Sequence, residues 1–209
     1  YEDTKKLQEA TKKVRTLIED SKMPKKMEED ILEAYEHLGA ADFDVAKGSA
    51  LDILRNSAEP IFVAVRSSAN AEDGPEASFA GQNATYLNMK GKQKVLAAVK
   101  ACWASLFTAR SIYYRTKNNF NHTKVFIAVG VQQMVNSEKA GVMFSVNPVS
   151  QKPNEIMIEA TYGLGESVVS GAITPDEYVV DKNSEEGITR HIVKKTWMFT
   201  RDPEKGETM

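Results

Sequence analysis

Ile61-Phe62-Val63-Ala64-Val65-Arg66-Ser67-Ser68-Ala69-Asn70 is the stretch on which the fold turns. The unbroken apolar run, rich in β-branched residues, reads as a buried strand, and the residues after Arg66 read as a polar turn. A loop of small residues then passes through Gly74, Pro75, Ser78 and Gly81, and Ala84 to Met89 reads as another strand. From about Lys92 to Asn118, the positions Val95, Val99, Cys102, Leu106, Ala109 and Tyr113 fall at alternating spacings of four and three. That pattern predicts one long helix with an apolar stripe.

Farther out, Val125 to Val135 is almost continuously apolar and predicts a central strand. Short strands are expected at 141–146, 155–160, 177–180 and 188–193, separated by Asn147-Pro148, Gly163-Leu164-Gly165 and Lys182-Asn183. On the N-terminal side, Leu7, Ala10, Val14 and Leu17/Ile18 form a helical stripe. Pro24 suits the first turn of a second helix, Met27, Ile31, Leu32, Tyr35 and Leu38 carry its stripe, and Gly39 suits its end. A short helix near Ser49 to Asn56, stopped by Pro60, completes the reading. Helices first and strands in runs afterwards argue an α+β fold, with N-terminal helices and a mixed or antiparallel sheet C-terminal to them.

Composition narrows the function classes. The 209 residues hold 27 Lys plus Arg and 29 Asp plus Glu, a net charge of −2, so no broad basic field supports nucleic-acid binding. At 42% hydrophobic and 27% charged, the chain has ordinary globular composition, which excludes disordered and collagen-like classes. The longest apolar run, about Val125 to Val131, falls short of the ~20 residues of a membrane helix, so no membrane partner is expected. Cys102 is alone, which excludes an internal disulfide, and no cysteine–histidine cluster suggests zinc. No basic segment followed by an apolar one marks a secretory signal, so the expected compartment is the cytoplasm and the sequons at Asn83 and Asn121 read as chance. The chain opens at Tyr1 inside a helix-like run and reads as a piece of something longer.

Chemistry could sit in four places. Arg66, at a strand end beside two hydroxyls and ahead of a glycine-bearing loop, suits phosphate, because a guanidinium offers charge and paired donors and Gly81 lets backbone N–H groups come close. A surface arginine beside an ordinary turn has the same composition. Gln132-Gln133-Met134-Val135 ends a strand before polar Asn136-Ser137-Glu138-Lys139, where backbone groups and a flat Met134 could meet an adenine ring, or Met134 could simply pack. Gly163-Leu164-Gly165 could approach an anion or form a tight turn. Glu159, Glu166 and Asp176 could hold Mg²⁺, but their spread makes solvated acids the default. His37, His122 and His191 lie far apart and read as surface or partly buried residues, while Cys102, Trp103 and Phe107 read as core.

These same residues carry a resemblance. Val63 to Asp73 running through Pro75 to Gln82, Ala104-Ser105-Leu106-Phe107 with Ala109-Arg110, Val131 to Val135, Gly141 to Ser145, Tyr162 to Glu166 and Thr174 to Glu177 together resemble the nucleotide-binding domain of phosphoenolpyruvate synthases. The likeness spans about residues 61 to 181. It implies an ATP-grasp-like fold, present here in part: a helical scaffold at 1–60, a lobe with the phosphate loop and long helix at 61–135, and the start of a second lobe at 136–209. It implies Arg66 as the catalytic phosphate grip, and Ser78, Phe79, Ala80, Gly81 and Gln82 as the loop over the phosphates. Gln133, Met134 and Val135 become the adenine-facing hinge. The implied cofactors are ATP and Mg²⁺, with the metal-binding acids in an Asp-Ile-Glu type segment beyond this chain. The implied partners are a phosphohistidine domain and a pyruvate-binding domain of the same longer chain, without which this piece is expected to be inert. The runner-up within the resemblance is a rifampicin-type antibiotic phosphotransferase, which differs mainly in its acceptor domain. Pyruvate phosphate dikinase fits less well, because Ala77-Ser78-Phe79-Ala80-Gly81 stands where that enzyme has a Met-Pro-Gly-Met-Met type loop. The alternative from another class is a non-catalytic nucleotide-binding or interaction module that kept the fold, and the retained Arg66, Gly81 and hinge argue against it, since a scaffold has no need of a phosphate clamp.

Overall fold

A computed structural model describes residues 3–40, 60–69, 84–184, 187–202 and 206–209. The expected helix at Ser49–Asn56 and the loop bearing Ser78, Phe79, Ala80, Gly81 and Gln82 lie outside these described residues. The chain divides into two compact units, Tyr1–Met134 and Val135–Met209.

In the first unit, β1 (Phe62–Ala69) alternates strictly: Val63, Val65, Ser67 and Ala69 are buried, while Arg66 and Ser68 are exposed. It pairs antiparallel with β2 (Thr85–Lys90) on one side and β3 (Ile127–Gln133) on the other, giving the order β2-β1-β3. The stretch expected to be the central strand is therefore an edge strand among the described residues, and β1 holds the centre. The reason lies in β3 itself: Ile127, Val129 and Val131 face inward, but Ala128 and Gly130 between them are exposed, so its apolar run is not buried on both faces.

The buried face of β1 meets helix α3 (Lys92–Ser105), whose Val95, Ala98, Val99 and Cys102 complete the core with Val63, Val65 and Tyr35. Each fully buried valine there contributes roughly 1.5–3 kcal/mol over an exposed one. Helices α1 (Thr4–Asp20) and α2 (Lys25–Ala40) belong to this same unit, and both pack on α3.

Two helical expectations need correcting. In α1 the inward residues are Leu7, Thr11, Arg15 and Ile18, whereas Ala10, Val14 and Leu17 are exposed, Leu17 at 72%. Thr11 tolerates burial because its hydroxyl donates to the Gln8 carbonyl at 3.1 Å, so a polar residue holds the inner face that an apolar stripe would miss.

The single helix expected from Lys92 to Asn118 is two, α3 and α4 (Ala109–Lys117). The break at 106–108 has its own chemistry. Leu106, Phe107 and Thr108 donate to carbonyls three residues back, and Thr108 then accepts from the Ser111 N–H as a new N-cap. The guanidinium of Arg115, fully buried, donates to the Leu106 carbonyl at 2.7 Å and to His122 Nδ1 at 3.2 Å. Tyr113 consequently turns outward and is 47% exposed. Residues 92–117 together have the length and apolar composition of a membrane-crossing helix, although they hold no long unbroken apolar run. Here they form two separate helices, and the apolar face of α3 lies in the core.

The second unit is a sheet of order β4-β5-β6-β7, antiparallel throughout. Its strands are β4 (Lys139–Phe144), β5 (Glu155–Tyr162), β6 (Asp176–Asp181) and β7 (Ile188–His191), with the one-turn helix α5 (Glu166–Val169) between β5 and β6. All four expected strands are present within a few residues. The Asn147-Pro148 break is organised by buried Asn147, whose Oδ1 accepts from the Val149 and Ser150 N–H groups while its Nδ2 donates to Glu155.

Candidate functional site

Pairing register decides what surrounds Arg66. It stands opposite Thr85 on β2 and opposite Gly130 on β3, with Ala64 opposite Gln132 and Ser68 opposite Ala128. Arg66 is thus bordered mainly by short side chains, with Gln132 as the long polar neighbour on the β3 side. At the far end of the face, the Lys90 ammonium lies 5.0 Å from the centroid of the Phe62 ring. No described residue forms an ion pair with Arg66. Of the two hydroxyls beside it in sequence, Ser68 shares its face and Ser67 points into the core.

Gln133 stands opposite Val63 and so belongs to the other side of the sheet, and sequence reading did not single out Gln132. The period-two pattern was present in the sequence, but without the register nothing said which glutamine follows Arg66. Met134 is half-buried, and its N–H donates to the Phe62 carbonyl at 2.9 Å, extending the β1–β3 ladder by one bond. Its backbone donor is therefore occupied. Val135, the first residue of the second unit, is 75% exposed.

The Gly163-Leu164-Gly165 segment resolves in favour of structure. Gly163 has φ +79°, its N–H donates to the Glu138 carbonyl, and the Leu164 N–H donates to the Phe199 carbonyl, both at 2.8 Å. A β-carbon on Gly163 would lie 2.0 Å from that Phe199 oxygen. Glycine serves a positive φ and a close backbone crossing here, and neither of these two N–H groups is open to an anion.

The three acids weighed for Mg²⁺ do not converge. Glu159 pairs with Glu177 across β5 and β6, whereas Asp176 pairs with Ala160 on the opposite face of the sheet. Asp176 is held by the nearly buried Lys195 ammonium and by the Val193 N–H, which keep its carboxyl below the usual range. Glu166 is exposed in the first turn of α5. Among the described residues no group of three or more His, Cys, Asp or Glu side chains could hold a metal ion.

The remaining singletons are structural. Burial pushes the Cys102 thiol up to about 11, which leaves it an inert core residue. His122 is half-buried against Arg115, and His37 and His191 are exposed.

Comparison with known proteins gives these features a family. Residues 1–209 match the family described as pyruvate phosphate dikinase, AMP/ATP-binding domain. Phosphoenolpyruvate synthase of Pyrococcus furiosus is 51% identical over 205 residues, which are 98% of this chain and 23% of that protein. The probable phosphoenolpyruvate synthase of Methanocaldococcus jannaschii is 49% identical over 99% of this chain and 16% of that protein. The phosphoenolpyruvate synthase of Aeropyrum pernix is 41% identical over 97% of this chain and 23% of that protein. This chain thus spans less than a quarter of each of these relatives. A match along its whole length, over a fold with two antiparallel sheets, places the chain in the pyruvate phosphate dikinase AMP/ATP-binding domain family.

Proposed function

We propose that this chain is the ATP-binding part of a phosphoenolpyruvate synthase. ATP would phosphorylate a histidine on a separate domain, which would carry the phosphoryl group to pyruvate. The net reaction turns ATP, pyruvate and water into phosphoenolpyruvate, AMP and phosphate. One observation carries this reading: nearly the whole chain is about half identical to proteins named as that synthase, within a family of AMP/ATP-binding domains. The acceptor domains would belong to a longer chain.

Arg66 is the proposed phosphate grip. Phosphoryl transfer depends on positioning and on neutralising charge, and a guanidinium anchored on a central strand among short side chains supplies both. The loop of Ser78, Phe79, Ala80, Gly81 and Gln82 is proposed to cover the phosphates on the strength of its motif. In the proposed hinge of Gln133, Met134 and Val135, the Met134 N–H is taken up by Phe62, so the adenine edge falls to the Val135 amide. Two units, each built on an antiparallel sheet, support an ATP-grasp-like fold. Mg²⁺ would neutralise phosphate charge, but the described acids do not fit a metal site and none is assigned to it.

The test is phosphorus NMR of the longer protein with Mg-ATP and pyruvate. Joint appearance of phosphoenolpyruvate, AMP and phosphate is the expected result. ATP left untouched with pyruvate overturns the synthase reading, and turnover on adding a rifampicin-type antibiotic would then identify a different acceptor.

A further inference from the structure

Gly130 lies inside β3, directly across from Arg66. Its backbone is not in the positive-φ region, so the chain path there does not require glycine. Glycine inside a strand weakens it relative to residues with a side chain, so its presence calls for a reason. The space above it supplies one. A β-carbon built on Gly130 would lie 3.6 Å from Cγ of Arg66 and 3.9 Å from the Arg66 carbonyl oxygen, and among the described residues it would meet nothing else within 4 Å. Among the described residues, the one side chain that uses the gap is the aliphatic stem of Arg66. Ala64 and Ser68 on β1, Ala128 on β3 and Thr85 on β2 flank it with short side chains as well, and Gln132 on β3 is its long polar neighbour.

We propose that Gly130 is a positioning residue for Arg66: by leaving its own position empty, it lets the arginine stem lie across β3 and sets the direction from which the guanidinium meets phosphate. This rests on the reading of Arg66 as the phosphate grip. Space dictates a graded response. A methyl group at 130 makes ordinary van der Waals contact with the Arg66 stem and is tolerated. The branched side chain of valine fills the gap and lifts the stem off the sheet, while suiting a strand better than glycine does.

The experiment compares Gly130→Ala, Gly130→Val, Arg66→Ala and the double variant Gly130→Val/Arg66→Ala in the longer protein by calorimetric ATP titration, with thermal melting alongside. Gly130→Ala is expected to bind ATP within about threefold of the parent, and Gly130→Val about tenfold more weakly with an unchanged or raised Tm. Added to Arg66→Ala, the valine should cause no further loss, because its effect acts through the arginine. Parent-like ATP binding by Gly130→Val, or a loss that adds fully to that of Arg66→Ala, overturns the proposal. A parent protein that binds no ATP, or an Arg66→Ala variant that binds it equally well, overturns the phosphate-grip reading instead. Nitrogen-15 relaxation of the Arg66 Nε–H group reads the positioning without nucleotide. The proposal expects altered side-chain order in Gly130→Val and none in Gly130→Ala, and unchanged order in both overturns it.

Discussion

The hydroxyl of Tyr35 accepts a hydrogen bond from the Gly91 N–H at 2.9 Å, joining residues 56 positions apart. The same hydroxyl donates to the Ile61 carbonyl at 2.7 Å, and the ring is buried in the core against α3. One phenol therefore ties helix α2 to the chain entering β1 and to the turn that starts α3, the two elements that hold Arg66 in place.

Replacing Tyr35 with Phe keeps the ring and leaves a half-buried donor and acceptor without their partner. The expected loss is roughly 1–3 kcal/mol of unfolding free energy, read as a lower urea midpoint with unchanged m. A midpoint equal to that of the parent would show that water replaces the hydroxyl at no cost.

Gly163 should tolerate no side chain. Gly163→Ala places a methyl group 2.0 Å from the Phe199 oxygen at a φ of +79°, so the chain after β5 and the segment at Phe199 must separate. A loss of at least about 2–3 kcal/mol is expected. If the variant melts with the parent, the crossing at Phe199 is not formed in solution.

Acid should selectively weaken the second unit through Asp176. Its carboxyl is held below the usual range first by the Lys195 ammonium and then by the Val193 N–H, so its contribution is fully present above the ordinary carboxylate pKa. That contribution is lost as pH falls through the lowered folded value. Asp176→Asn should therefore be less stable than the parent at pH 7, with the gap closing towards pH 2–3. The double variant Asp176→Asn/Lys195→Met should recover part of the loss, because it no longer strands a nearly buried ammonium. A gap that stays constant from pH 7 to 3 would remove the ion pair from the account.

Arg66→Ala should separate binding from folding. The side chain is exposed and makes no ion pair with a described residue, so the Tm should move by no more than a degree or two, equivalent to about 0.5 kcal/mol. In the longer protein, ATP-dependent phosphorylation of the acceptor histidine should fall by most of its value. Parent-level phosphohistidine in this variant would refute the role given to Arg66.

Much of the architecture could be read from local pattern. The β1 run from Phe62 to Arg66, the second helix with Tyr35 on its inner stripe, the four strands of the second unit and the core role of Cys102 all follow from spacing alone. The two helical failures share one cause. Thr11 and Arg115 are polar residues buried because distant or local acceptors satisfy them, and a pattern that equates apolar with buried cannot register that. The break at Leu106–Thr108 follows from the same chemistry, since an arginine nine residues away takes the Leu106 carbonyl.

Sequence alone determined that Arg66 ends a buried apolar run, because alternation along a strand is a property of neighbouring residues. It likewise determined the family, through long ordered motifs. Only the tertiary structure decided which residues share the face of Arg66. Gln132 stands there and Gln133 does not, Ser68 does and Ser67 does not, and Gly130 lies directly across. That information resides in the register between strands more than fifty residues apart, which is set by how each strand buries its apolar face rather than by the local sequence of either.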